Sequence, residues 1–61
     1  MELGTYLEQT NMQQKAFARM VEISRSALSN YIYKRRKPRL DIAHRIVTAT
    51  KGKVTIEDLL K

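Results

Sequence analysis

Sixty-one residues are expected to form one domain, 1–61, and a chain this short buries only roughly 60% of its unfolded surface, so pairing with a second copy would stabilise it. The absence of cysteine excludes a disulfide framework and a thiolate metal site, while 43% hydrophobic residues argue against disorder throughout. A net charge of +6 and a pI of about 10.1 point to a polyanionic partner, either nucleic acid or an anionic membrane.

The elements follow in chain order. Leu3, Tyr6 and Leu7 recur at helical spacing, so residues 2–9 read as a first short helix. Thr10, Asn11 and Met12 interrupt it, and Asn11 or the glutamines after it are candidate caps for the next helix. The second helix is expected from about Gln13 to Met20 or Val21, with Phe17 and Val21 on one face and Ala18 beside them. Ala18 is small, as a close helix crossing requires. Val21-Glu22-Ile23-Ser24 reads as a turn, with Ser24 as N-cap of a third helix and Ile23 as a hydrophobic staple before it.

The third helix runs to about Tyr33 or Lys34. Its apolar stripe is Leu28, Tyr31 and Ile32, flanked by Ala27, and Arg25, Ser26, Ser29, Asn30 and Tyr33 fall toward the other side. Pro38 disfavours helix at Lys37 and suits the first turn of a fourth helix. That helix is expected over about Arg39–Thr50, with Leu40, Ala43, Ile46, Val47 and Thr50 on one side and Gly52 as its stop. Thr55 with Asp58 three residues later forms a capping-box pattern that opens a last turn, residues 56–60. Nothing alternates with period two. The fold class is all-α, a small bundle of five short helices.

Charge is concentrated in the middle of the chain. Residues 25–45 hold seven bases (Arg25, Lys34, Arg35, Arg36, Lys37, Arg39, Arg45) against Asp41 alone. Residues 1–24 hold three acids, Glu2, Glu8 and Glu22, against Lys15 and Arg19. No apolar run approaches the roughly 20 residues that span a bilayer. Met1-Glu2-Leu3-Gly4 lacks the basic and apolar regions of a secretion signal. The expected location is therefore the cytoplasm, in contact with nucleic acid, with no membrane partner. His44 lies three residues after Asp41, but one histidine and one carboxylate on a helix surface are an ordinary local pair. Without further convergent groups an enzyme is not expected, nor is a metal or cofactor.

The stretch Gln14–Tyr33 resembles the helix-turn-helix of phage and bacterial repressors of the Cro/CI type, the XRE class, whose fold is lambda-repressor-like. The resemblance rests on Gln14, Phe17 and Ala18, on the apolar Val21, Ile23, Leu28 and Tyr31, and on Pro38 and Leu40 beyond them. Residues Ala49 to Leu59 look like the tail of small Cro-like and YdaS-type prophage regulators, so the resemblance covers roughly residues 3–60. One position departs from it: the family commonly has glycine in the turn where this chain has Glu22.

What the resemblance implies is a DNA-binding transcription repressor whose recognition helix, about Ser24–Tyr33, enters the major groove. Arg25, Ser26, Ser29 and Asn30 would then meet base edges, with Arg25 on guanine O6 and N7 and Asn30 on adenine N6 and N7. Phosphate contacts would fall to Gln14, Ser24, Tyr33, Lys34, Arg35, Arg36 and Lys37. A homodimer on a pseudo-palindromic operator is implied, with no small-molecule effector. An antitoxin or antirepressor that uses the same fold to bind a partner protein is the alternative. Val54, Ile56, Leu59 and Leu60 are candidates either for the dimer surface or for closing the monomer's own core.

Overall fold

The computed structural model describes residues 1–60. Among these residues the chain forms five helices and no strand: α1 Leu3–Gln9, α2 Gln14–Met20, α3 Arg25–Ile32, α4 Leu40–Ala49 and α5 Ile56–Leu60. The first four lie within the stretches their apolar spacing marked out, shortened by one or two residues at an end, and α5 covers the residues 56–60 expected after the Thr55 cap. The core gathers Leu3 and Leu7 of α1, Phe17 and Ala18 of α2, Leu28 of α3, and Ala43 and Ile46 of α4. Val21, Val54 and Leu59 complete it. The Phe17 side chain is fully buried and meets the Tyr6 ring edge-on, with centroids 6.3 Å apart. Gly4 lets α1 approach α3 closely, since a Cβ there would lie 3.3 Å from Ile32 Cγ2.

The first four helices end in the same way. Thr10, Val21, Tyr33 and Thr50 are C-caps, and the next residue has positive φ: Asn11 at 54°, Glu22 at 60°, Lys34 at 62° and Lys51 at 55°. In each case the following amide reaches back five residues, Met12 N–H to Leu7 O, Ile23 N–H to Ala18 O, Arg35 N–H to Asn30 O and Gly52 N–H to Val47 O. These are Schellman motifs, which satisfy orphan carbonyls of the last turn and usually place glycine at the left-handed residue. None of the four left-handed positions that follow a C-cap here is glycine.

Several sequence expectations change in detail. Asn11 does not cap α2; it is the left-handed residue that ends α1, and Gln13 occupies the N-cap without a side-chain bond. Gly52 is not the first residue past the α4 cap, because Lys51 takes that place. Pro38 is buried, but it lies before the N-cap Arg39 rather than in the first turn. With buried Ala43 it occupies the two positions that a hydrophobic staple uses. Leu40 is 62% exposed: as the first residue of α4 it carries the apolar stripe one turn past the core, and Ile42 packs in instead.

Thr50 is the buried polar residue of the core, at 1% exposure. Its hydroxyl donates to Val47 O at 3.1 Å and accepts from Val54 N–H at 3.2 Å, tying the end of α4 to the approach to α5. Thr55 and Asp58 form the reciprocal capping box, with bonds of 3.1 and 3.0 Å. Asp58 Oδ2 also accepts from the Met1 ammonium at 2.6 Å, which ties the N-terminus to α5. Those contacts hold the Asp58 carboxyl well below the usual carboxylate range. Val54 and Leu59 are buried in the monomer's own core; of the four tail residues considered for a dimer surface, Leu60 is the exposed one.

Candidate nucleic-acid interface

The interface is built by the α2–α3 pair. Phe17, Ala18 and Val21 bury one face of α2, and Ala18 at 3% exposure lets α3 cross it closely. Glu22 with φ of 60° turns the chain between them. Ser24 then caps α3, its Oγ accepting from Ala27 N–H at 3.0 Å, while Ile23 and Leu28 occupy the staple positions before and after the cap. Leu28 is fully buried, and Tyr31 and Ile32 pack at the core's edge. The opposite face of α3 is thereby left to solvent. Arg45 from α4 supports the arrangement by donating to Val21 O at 3.4 Å, the C-cap carbonyl of α2.

On that open face lies a shallow depression of about 480 Å³ lined by Gln14, Arg25, Ser26, Ser29, Asn30 and Arg35. The four side chains expected at base edges therefore share one surface, and the first residue of α2 joins them. No acidic side chain lines it. Arg25 and Ser26 are exposed, and Ser29, Asn30 and Gln14 are half-buried.

The seven residues expected at phosphate divide between different places. Gln14 and Arg35 line the depression. Ser24 sits at the N-terminus of α3, its hydroxyl oxygen engaged as the cap. Tyr33 is 61% exposed, and the Arg35 guanidinium lies over its ring, 5.2 Å from the centroid. Arg36 and Lys37 are exposed in the loop after α3. Lys34 is not brought to the cluster: its Nζ pairs with Glu2 Oε1 at 2.9 Å and donates to Asp58 O, across the seam between the N-terminus and α5.

One arrangement has no signal in the sequence. Arg35 reads there as one of a run of loop cations. In the folded chain its Nε donates to Asn30 Oδ1 at 3.1 Å and its Nη2 to Ser29 Oγ at 3.1 Å, so it lies back along α3. Its backbone N–H, with that of Arg36, donates to Asn30 O, and the Schellman turn aims the side chain there. Spacing alone does not reveal this, because the reversal depends on Lys34 adopting a left-handed conformation.

Asp41 and His44 are both exposed, and no ion pair or hydrogen bond joins them among the described residues. No helix among these residues is long and apolar enough to cross a membrane. A second groove, between α2 and α4, is lined by Met20, Val21, Glu22, His44, Arg45, Thr48 and Ala49.

No curated protein and no solved structure matches the chain. A family model described as helix-turn-helix matches residues 3–59, the whole span from the start of α1 into α5. It describes a DNA-binding regulatory domain and not an enzyme family. With its turn, its capped α3 and the exposed polar face of that helix all inside the matched span, the chain belongs to the XRE-type helix-turn-helix family of DNA-binding transcription regulators.

Proposed function

We propose that this protein is a sequence-specific repressor that inserts α3 into the major groove of a double-stranded operator. The observation that carries the reading is the convergence of Arg25, Ser26, Ser29 and Asn30 on one acid-free surface with Gln14 at its edge. Arg25, Ser26 and Ser29 contact base edges, and the amide end of α2 at Gln14 contacts phosphate. Arg36 and Lys37 hold the backbone beside the groove and set affinity rather than sequence. A dimer would place two α3 helices in successive major grooves about 34–36 Å apart, which requires a pseudo-palindromic site. Repression follows from occupying DNA that polymerase needs, controlled by protein concentration in the bacterial cytoplasm or nucleoid, without a small-molecule effector.

Mobility shifts with the DNA flanking its own gene, in excess unrelated competitor, test this reading. A discrete complex that survives competitor is expected, and Arg25→Ala erodes its sequence preference without abolishing it. Binding that competitor removes uniformly would refute sequence-specific repression. The antitoxin or antirepressor reading draws on the α2–α4 groove, where Met20 is 52% exposed. A stable copurifying protein partner with no specific DNA site would favour it.

A further inference from the structure

The bonds between Arg35, Asn30 and Ser29 carry a consequence for which base is read, given the DNA-reading role proposed above. A guanidinium has five donors and no acceptor. Its contact with the Asn30 side chain therefore fixes the carboxamide: Oδ1 faces Arg35 and Nδ2 faces away. Ser29 Oγ likewise accepts from Arg35 Nη2, which turns its hydroxyl hydrogen away from Arg35 and toward a ligand. Arg35 spends its Nε edge on these two residues, and the Nη1–Nη2 edge remains open. The Tyr33 ring beneath the guanidinium, at 5.2 Å, further restricts its swing.

The far half of α3 thus presents donors: the outer edge of Arg35, the Asn30 amide and the Ser29 hydroxyl. An adenine edge offers one acceptor and one donor in the major groove, N7 and the N6 amino group. Reading it with asparagine needs Oδ1 and Nδ2 together at the base edge, and Arg35 already holds one lone pair of that oxygen and turns it toward itself. A guanine edge offers two acceptors, O6 and N7, which suit the open fork of an arginine. We propose that Arg35 is a specificity-determining residue that reads guanine from the C-terminal end of α3, with Asn30 and Ser29 as its positioning residues rather than as an adenine reader. The seat of that contact is the depression shared by Arg25, Ser26, Ser29, Asn30 and Arg35.

Site selection from a randomised duplex library tests this with the full chain, followed by titration of the selected duplex. Wild type is expected to enrich guanine at the position facing the end of α3, and replacing it with 7-deazaguanine should weaken binding by about tenfold, within the range of one bidentate contact. Arg35→Lys keeps the charge and removes the fork. It should lose the preference for guanine at that position while retaining the other selected positions. Arg35→Ala should do the same, and the freed Asn30 carbonyl should raise the relative affinity for adenine there. Adenine enriched by wild type would overturn the proposal. So would an Arg35→Lys variant with unchanged preference, since that marks a phosphate contact. If no site is enriched by any variant, the DNA-reading role itself fails, and the assignment of Arg35 falls with it.

Discussion

Glu22 holds the α2–α3 turn at a cost that a single substitution should recover. Its φ of 60° is a left-handed conformation, which costs a residue with a Cβ roughly 1–2 kcal/mol. The side chain is exposed and has no hydrogen bond or ion pair among the described residues to offset that strain. Glycine removes the strain and adds about 0.5–1 kcal/mol of unfolded-state entropy. The net expectation for Glu22→Gly is a gain of about 1 kcal/mol, or about 4–8 °C in Tm for a domain of this size. The assay is thermal unfolding followed by far-ultraviolet circular dichroism, with Glu22→Ala as the control that keeps a Cβ and should gain nothing comparable. A glycine variant that melts at or below wild type would refute the strain argument. Lys34→Gly should gain less than Glu22→Gly, because Lys34 also holds Glu2 and the Asp58 carbonyl.

Other perturbations follow from the same contacts. Ala18→Leu should destabilise by about 1–3 kcal/mol, because Ala18 is buried where α3 crosses α2; urea unfolding reads this directly. Thr50→Val keeps the shape and strips the buried Val54 amide of its acceptor, at a cost of about 1–3 kcal/mol in the same assay. Acid should weaken the clamp between Asp58, Thr55 and the N-terminus. The carboxyl is depressed below its ordinary 3.8, so its contribution is full above that pH and is lost as pH falls through the lower folded value. The stability difference between wild type and Asp58→Asn should accordingly shrink as pH drops below 3.8. A difference that stays constant on acidification would assign the effect to something other than the charge.

How much of this was legible beforehand depends on the range of the interactions involved. The apolar frame Phe17, Ala18, Val21 and Leu28 is local and periodic, and all four residues are buried where their spacing puts them. Ser24 and the Thr55–Asp58 pair are also local signals, and each makes its cap. That Leu40 lies outside the core is not legible because periodicity does not say where a core ends, and that Asn11 ends α1 is not because the same residue type suits both an N-cap and a left-handed C-terminal position. Lys34 and Arg35 are neighbours in a basic run, yet one turns to Glu2 and the other to Asn30. That separation is set by the backbone reversal at φ of 62° and by contacts with α5 far along the chain, neither of which composition encodes.

Where duplex DNA touches the protein decides whether α3 is the reading helix. Amide chemical shifts of the labelled protein, followed on titration with a selected duplex, should move at Gln14 and Lys15, across Arg25–Asn30 and at Arg35–Lys37. Thr48, Ala49 and the residues of α5 should stay in place. Perturbations centred on the α2–α4 groove, at Met20, His44 and Thr48, with α3 unmoved, would contradict the account.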